Sequence, residues 1–372
     1  QKFRGVVIVT HMLRALELAR QALGTTSPKP AVGAVVVKGR RVVGEGASRP
    51  AGGGHAPVVA LQNAGEQAKG ATLYVTLEPC NHEGLTPMTS VPCTDVILAA
   101  GVSQVRYAVI DPNPKVNGRG IARLKEGGVK VSGGEEADKV TQLVEGYAKH
   151  VTTGMPFLTA KYAMSLDGKI ATRSGQSRWI TGPESRRFTH RLREGSDVVM
   201  VGAGTVKKDN PQLTARGDED NLLSKQPLRV IVDSHGGIPE DSKVLTDSGK
   251  TMVALGDATA STMVLFEEMD VDAKRFLGPR GLVDLRELMT YLGQIGLTTV
   301  LVEGGGILLG ALFDEGLVDK VVAQVAPIIV GGRLAVSPVQ GEGILDLADA
   351  VRLKQLELLQ FGADITLVGY CR

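Results

Sequence analysis

Short apolar runs of strand length alternate along this chain with segments of helical spacing, and this alternation restricts the fold more than any other feature. Residues 31–37, 71–77 and 105–110 are strand-length apolar runs. Residues 12–23 carry Leu13, Leu16 and Leu23 at helical spacing, with Gly24 as a C-terminal stop. A second helix is expected to open at His55, after the flexible Gly52-Gly53-Gly54, and to extend through residue 68. A third is expected over 93–100, stopped by Gly101. Ser27-Pro28-Lys29-Pro30 cannot be helical and reads as a turn. Strands separated by helices predict a mostly parallel sheet covered on both faces.

The alternation resumes beyond Met155-Pro156. Residues 139–151 read as a helix leading into a linker at 152–154. Strands are predicted at 157–162, 197–201, 229–233, 299–302 and 320–325, and helices at 183–193, 284–295 and 307–315. Residues 217–226 are polar and loop-like. The 372 residues thus divide into two α/β domains, 1–151 and 155–372.

Composition narrows the function. A formal charge of +2 without a basic–aromatic surface gives no reason to expect nucleic acid or an anionic membrane as partner. No apolar run reaches transmembrane length, and the start shows no signal peptide. The three cysteines are too few for a disulfide framework, which suits a reducing cytoplasm, where paired cysteines are metal ligands or catalytic.

Two of those cysteines stand in a recognisable context. His55-Ala56-Pro57 is followed by Glu78-Pro79-Cys80 and then by Pro92-Cys93. In zinc deaminases one His and two Cys hold the metal, and a Glu two residues after the His moves the protons without being a ligand. His55, Cys80 and Cys93 supply three ligands, leaving one coordination position open, as a catalytic zinc requires. Pro57 occupies the place of the Glu. Taken singly, a His or a Cys is as readily a core residue; the local context of all three argues for metal.

Longer motifs surround these residues. Ala31-Val32-Gly33, Gly70-Ala71-Thr72-Leu73-Tyr74-Val75-Thr76, Thr76-Leu77-Glu78-Pro79-Cys80-Asn81-His82-Glu83-Gly84-Leu85-Thr86-Pro87 and Asp111-Pro112-Asn113-Pro114 resemble the bifunctional riboflavin-biosynthesis deaminase/reductase family. The similarity spans nearly the whole chain. It implies a cytidine-deaminase-like three-layer αβα domain that deaminates a phosphoribosylamino-pyrimidine with zinc. It further implies a dihydrofolate-reductase-like α/β domain. That domain uses NADPH to reduce the ribosyl group of 5-amino-6-(5-phosphoribosylamino)uracil to ribityl. The implied partners are small molecules, and a homo-oligomer is expected.

The departures from this family cluster in the deaminase motifs. Pro57 replaces the Glu, Lys29 an Asn, and Ser48 a His, while Met88-Thr89-Ser90-Val91 splits the Thr-Pro-Pro-Cys pattern. Proline has no titratable group, and general acid–base catalysis contributes roughly 10²–10⁴-fold. Proline is tolerated in the first turn of a helix, so the fold is expected to survive. Glu78 and Glu83 are the acids near enough in sequence to act as substitutes, and His82 is a spare imidazole.

The second half follows the family order almost unbroken. Lys161 to Lys169, Gly175 to Gly182, His190 to Arg193, Val201 to Thr205, Asp209 to Arg216 and Val302 to Gly306 carry the match. Arg193 and Arg216 offer guanidinium forks for a phosphorylated sugar. Gly304-Gly305-Gly306 follows a strand and opens a helix, so backbone amides can approach cofactor phosphates. The resemblance gives Ser177, Leu213 and Glu303, with Arg193 and Arg216, to the substrate. It gives Ala163, Trp179, Thr205, Asp209, Ser234, Gly305 and Gly306 to the cofactor, with Lys161 at the same pocket. Arg186, Arg187 and Arg191 read as a solvated basic helix face. Three readings stay open: a reductase with a crippled deaminase, a fully bifunctional enzyme with a substitute acid, and an N-terminal domain serving as a non-catalytic scaffold.

Overall fold

The structure, a computed structural model, describes residues 10–50, 52–81 and 91–371. The chain divides between Gly154 and Met155 into two units. In the first, β1 (Gly33–Lys38), β2 (Arg41–Ala47), β3 (Thr72–Leu77), β4 (Gln104–Val109) and β5 (Lys130–Gly133) form a sheet ordered β2-β1-β3-β4-β5. The expectation of a mostly parallel sheet needs correction here. β1 is antiparallel to both β2 and β3, and only β3, β4 and β5 are mutually parallel. A tight hairpin at Gly39, with φ +62°, returns the chain at once into β2. That strand, interrupted by Gly44 and Gly46, lacks the apolar run that marks its neighbours.

Helices cover both faces. The alternation of side chains along β1 sends Ala34 and Val36 to one face and Val35 and Val37 to the other. On the Val35 face lie α1 (His11–Ala22) and, after three further helices, α5 (Ala137–Leu143), through Met12, Leu16 and Val140. The Ala34 face carries those three: α2 (Ala56–Ala64), α3 (Cys93–Ala99) and α4 (Arg119–Glu126), through Ala60, Ile97 and Leu124. The helix predicted over 139–151 is two helices: the backbone leaves helical geometry at Val144, and α6 (Glu145–Thr153) follows.

The second unit holds nine strands. These are β6 (Phe157–Ser165), β7 (Val198–Gly202), β8 (Leu228–Val232), β9 (Thr251–Leu255), β10 (Asp272–Arg275), β11 (Thr299–Glu303), β12 (Lys320–Ala326), β13 (Lys354–Phe361) and β14 (Asp364–Tyr370). Their order is β10-β9-β8-β7-β11-β6-β12-β14-β13, parallel from β10 to β12 and antiparallel across β14 and β13. Six helices accompany the sheet: α7 (Pro183–Glu194), α8 (Ala203–Asp209), α9 (Lys243–Thr246), α10 (Ala260–Glu268), α11 (Leu285–Gln294) and α12 (Gly306–Asp314). One core packs Leu288, Leu292, Leu309 and Leu312 of α11 and α12 against Val198, Met200 and Val302. The opposite core packs Val206 of α8 and Phe266 of α10 against Val199, Val201 and Leu301. The parallel strands are buried on both sides, which is why their sequences read as continuous apolar runs.

No helix among the described residues is long and apolar enough to cross a membrane.

Candidate active sites

Three local signals assemble the N-terminal site. His55 is the N-cap of α2, Cys80 lies three residues past the end of β3, and Cys93 is the first residue of α3. The folding of β3 between α2 and α3 therefore brings all three to one point. His55 Nδ1 lies 3.4 Å from Cys80 Sγ and 3.3 Å from Cys93 Sγ, and the two sulfurs are 3.2 Å apart. A helix N-terminus favours thiolate. The contact with Cys93, together with the His55 ring, draws the Cys80 thiol down to about 4. The same contact and burial push Cys93 up. One imidazole nitrogen and two sulfurs, all within 4.8 Å of one another, form a donor set that fits zinc with an open fourth position.

Pro57 is buried in the first turn of α2, two residues after His55. Its ring costs the helix no hydrogen bond there, since the first-turn amides have no intrahelical partner. Glu78 is buried and fully engaged: its carboxylate accepts the amides of Gly118 at 2.8 Å and of Asp111 and Ile121 at 3.1 Å. The close approach behind these bonds needs Gly120, where a Cβ would lie 1.9 Å from the Pro79 carbonyl. Lys29 donates to the carbonyls of Gly53 at 2.9 Å and Pro50 at 3.3 Å, tying down the glycine loop that leads into His55. Ser48 Oγ accepts the Val32 amide at 3.2 Å. His82, Glu83 and Met88 to Ser90 lie outside the described residues; Val91 is exposed.

In the second unit several of the predicted residues lie on or just past the carboxyl halves of parallel strands, the side on which open α/β sheets bind ligands. Ala163 and Lys161 lie on β6, Glu303 ends β11, Thr205 follows β7, and Ser234 follows β8. Lys161 and Glu303 are register partners on adjacent strands. The guanidinium of Arg193, from α7, reaches both Glu303 oxygens, with Nη2–Oε2 at 2.9 Å, and donates to the Thr214 carbonyl at 2.9 Å. The fork expected for phosphate is thus turned to a carboxylate. Burial lowers the pKa of Lys161. For Glu303, burial pushes the other way, but Arg193 and Lys161 overcome it and hold the carboxyl below its usual range.

A second group is the glycine turn. Gly304 and Gly305 have φ near +84°, a conformation that L side chains rarely adopt. A Cβ on Gly304 would meet open space, and one on Gly305 would lie 3.3 Å from Thr205 Oγ1. This is an open backbone cradle edged by Thr205, and it fits a cofactor phosphate. Gly306 is closed off, since a Cβ there would lie 2.7 Å from the Ser337 carbonyl.

The third group sits at the far end of α8. Ser177 donates to Asp209 Oδ1 at 2.7 Å, and Arg178 donates to the Asp209 carbonyl. Trp179 follows and is exposed. Arg216 lines a hollow with Gln212, Thr214, Leu222, Asp247 and Ser248. Its guanidinium bonds Gln212 Oε1 at 2.8 Å and the Asp220 carbonyl at 2.9 Å. Leu213 is buried with φ +57°, and Ser234 Oγ accepts the Val283 amide at 3.1 Å.

Sequence reasoning passed over two acids. Asp167 accepts the Val330 and Gly331 amides at 3.0 and 2.7 Å. These bonds and the Ser165 hydroxyl, its strongest partner, hold its carboxyl at about 2. Asp364 is buried and accepts Gly182 N–H at 2.7 Å and Ser185 Oγ–H at 2.6 Å, fixing the start of α7. An Asp between a hairpin turn and a strand carries no mark of that duty; burial alone reveals it.

Residues 156–367 match the family model described as the RibD C-terminal domain. Residues 8–109 match the cytidine and deoxycytidylate deaminase zinc-binding region. The riboflavin biosynthesis protein RibD of Bacillus amyloliquefaciens is 40% identical over 359 residues, covering 96% of this chain and 95% of that protein. The RibD of Escherichia coli K12 is 39% identical, covering 96% and 97%. Among solved structures, Acinetobacter baumannii RibD superposes with a TM-score of 0.83 at 37% identity, covering 97% of each chain. The Thermotoga maritima deaminase/reductase superposes at 0.82 with 32% identity, again covering 97% of each. Two α/β units, a His–Cys–Cys centre in the first and a glycine cradle beside a part-buried Lys–Glu–Arg group in the second, thus go with this similarity: the chain belongs to the RibD family of zinc-binding, NADPH-dependent riboflavin-biosynthesis proteins.

Proposed function

We propose that this chain is the reductase of its pathway step and that its deaminase unit holds zinc without turning over. The observation that carries this reading is the pair Pro57 and Glu78. The first fills the proton shuttle's place with a ring that cannot titrate, and the second is spent on three backbone amides, two of them buried. Zinc, when bound by His55, Cys80 and Cys93, supplies a polarised water. This chain's described residues offer no free carboxylate from the proton-shuttle position to move that water's protons.

In the reductase unit, NADPH supplies hydride, and the protein's part is orientation and proton supply. The cradle of Gly304, Gly305 and Thr205 holds cofactor phosphate, with Gly306 setting the turn into α12. Ala163, Asp209 and Ser234 complete the cofactor side. Glu303 orients the sugar, Arg193 positions Glu303, and Ser177 and Leu213 shape the pyrimidine end. Arg216 takes the sugar phosphate after releasing its loop partners. Lys161, the strand neighbour of Glu303, gives a proton to the opening ribose ring. The substrate is 5-amino-6-(5-phosphoribosylamino)uracil and the site of action the cytoplasm.

The antiparallel edge favours a homo-oligomer. Leu356, Leu358 and Ile365 of β13 and β14 are each more than half exposed, and an apolar edge strand left in water is a pairing surface.

The test pairs two assays on the wild-type protein. NADPH oxidation with the deaminated substrate is expected at an ordinary enzyme rate, and ammonia release from the aminopyrimidine at background. Ammonia release at the reductase rate would overturn the silent-deaminase reading, and no NADPH oxidation the reductase reading.

A further inference from the structure

The two edges of the Arg216 guanidinium are held unequally. Its Nε donates to Thr214 Oγ1 at 3.1 Å and its Nη2 to Gln212 Oε1 at 2.8 Å. Nε and Nη2 share one edge of the planar group, so residues just before Arg216 in the chain occupy that edge. Nη1 belongs to the other edge. It donates to the Asp220 carbonyl at 2.9 Å and lies 3.4 Å from Asp220 Oδ2. The Asp220 side chain is 81% exposed, and an ion pair so open to water is weak. An arriving anion therefore meets the Asp220 edge as the one that yields.

Gln212, on the firm edge, is not free to turn. A carboxylate only accepts and a guanidinium only donates. With Asp247 on one side and Arg216 on the other, the Gln212 amide has a single orientation: Nε2 donates to Asp247 Oδ2 at 2.7 Å, and Oε1 faces Arg216. Behind this pair stands Arg229 of β8, which is buried. Its guanidinium donates to the Asp247 carbonyl at 3.0 Å and the Gly249 carbonyl at 2.7 Å, and it reaches the Gln212 carbonyl at 3.5 Å. One buried cation thus fastens the backbone of Gln212 and of Asp247 together. The amide passes the fixed position of Asp247 on to Arg216 without placing a carboxylate against the guanidinium. Arg193 shows the alternative, since there a carboxylate takes the fork itself.

We propose that Gln212, clamped by Asp247, is a positioning residue for the reductase substrate. It holds the Nε–Nη2 edge of Arg216, so that the edge carrying Nη1 meets the sugar phosphate when Asp220 withdraws. A planar fork binds phosphate well only when its direction is set in advance. The proposal rests on the reading of Arg216 as the phosphate residue.

The test is a double-mutant cycle on the whole chain, read by NADPH oxidation with 5-amino-6-(5-phosphoribosylamino)uracil. Gln212→Leu, which keeps the bulk and loses both hydrogen bonds, should raise KM for this substrate about tenfold. Both kcat and KM for NADPH should hold, a split that a general loss of structure would not give. In an Arg216→Ala background, adding Gln212→Leu should change nothing further, because the amide acts through the guanidinium. If Gln212→Leu does not fold, Asp247→Ala carries the same comparison and should shift KM in the same direction. An unaltered KM in Gln212→Leu, beside a raised one in Arg216→Ala, overturns the positioning role and leaves the phosphate reading standing. Additive effects in the double variant also overturn it. An unaltered KM in Arg216→Ala removes the phosphate reading and this inference with it.

Discussion

The carboxylate of Glu78 takes the backbone N–H of Gly118 at 2.8 Å, and with the amides of Asp111 and Ile121 it pins the segment after β4 beside the His–Cys–Cys centre. Swinging this group toward a substrate would orphan all three donors, and the two buried ones, Asp111 and Ile121, would each cost about 1–3 kcal/mol. Glu78→Ala should therefore lower stability by several times the cost of one hydrogen bond, seen as a reduced denaturation midpoint. It should leave the background ammonia release where it was. A loss of residual ammonia release in a variant that still folds would assign Glu78 a chemical role.

Pro57→Glu puts a carboxylate in the first turn of α2, where the helix dipole favours a negative charge. If the missing shuttle is the defect, this single change raises ammonia release by roughly 10²-fold or more. Lys29 and Ser48 sharpen the outcome. Both have settled partners, Lys29 on the glycine loop and Ser48 on the Val32 amide. No gain from Pro57→Glu would move the block to them, and the triple change with Lys29→Asn and Ser48→His would then be required.

The meeting of His55, Cys80 and Cys93 was legible because each residue carries its own local mark: a glycine loop before His55, a strand end before Cys80, a proline before Cys93. Strand β2 was not legible, since Gly44 and Gly46 erase the apolar run, and the antiparallel order of β1 was lost with it. Arg193 shows the complementary limit. Its residue type announces a phosphate fork, but the partner that claims it, Glu303, is 110 residues away and is brought in only by the strand order. Arg186 shows the same limit at shorter range: helical periodicity assigns its face to solvent without seeing the preceding loop, where its guanidinium carbon lies 4.5 Å from the Trp179 ring centre and its Nη1 donates to the Thr181 carbonyl.

Zinc should be present at one equivalent per chain in protein prepared without chelator. The three donors join the N-cap of α2, the end of β3 and the start of α3, so the ion also fastens the fold. Removing it, or making Cys93→Ser, should lower the melting temperature of the N-terminal unit and leave NADPH oxidation unchanged. Elemental analysis and calorimetry read both effects. Melting insensitive to chelation would show that the site contributes nothing to the fold.

Lys161 gives the reductase a testable pH dependence. Burial disfavours the ammonium, so its pKa lies below the usual lysine value of about 10.4. As proton donor it must be protonated. The rate should accordingly be level below that lowered pKa and fall as pH rises through it. Lys161→Met should abolish this alkaline limb and reduce kcat roughly 10²–10⁴-fold. A limb that survives the substitution belongs to another group.

Arg193 and Glu303 form a bidentate pair whose side chains are only 15% and 9% exposed. Removing one member of a buried pair leaves the other charge uncompensated, at about 3–5 kcal/mol. Arg193→Met should show most of that loss, because Glu303 would keep only the weaker help of Lys161 and His190 among the described residues. Adding Glu303→Gln removes the stranded charge and should recover most of the stability while activity stays lost. Denaturant midpoints and NADPH oxidation on the two single variants and the double variant separate the effects. Stability and activity recovering together would mean that Arg193 merely neutralises Glu303 and that the carboxylate does not orient the sugar. Stability alone recovering would identify Glu303 as the functional member and Arg193 as the residue that positions it.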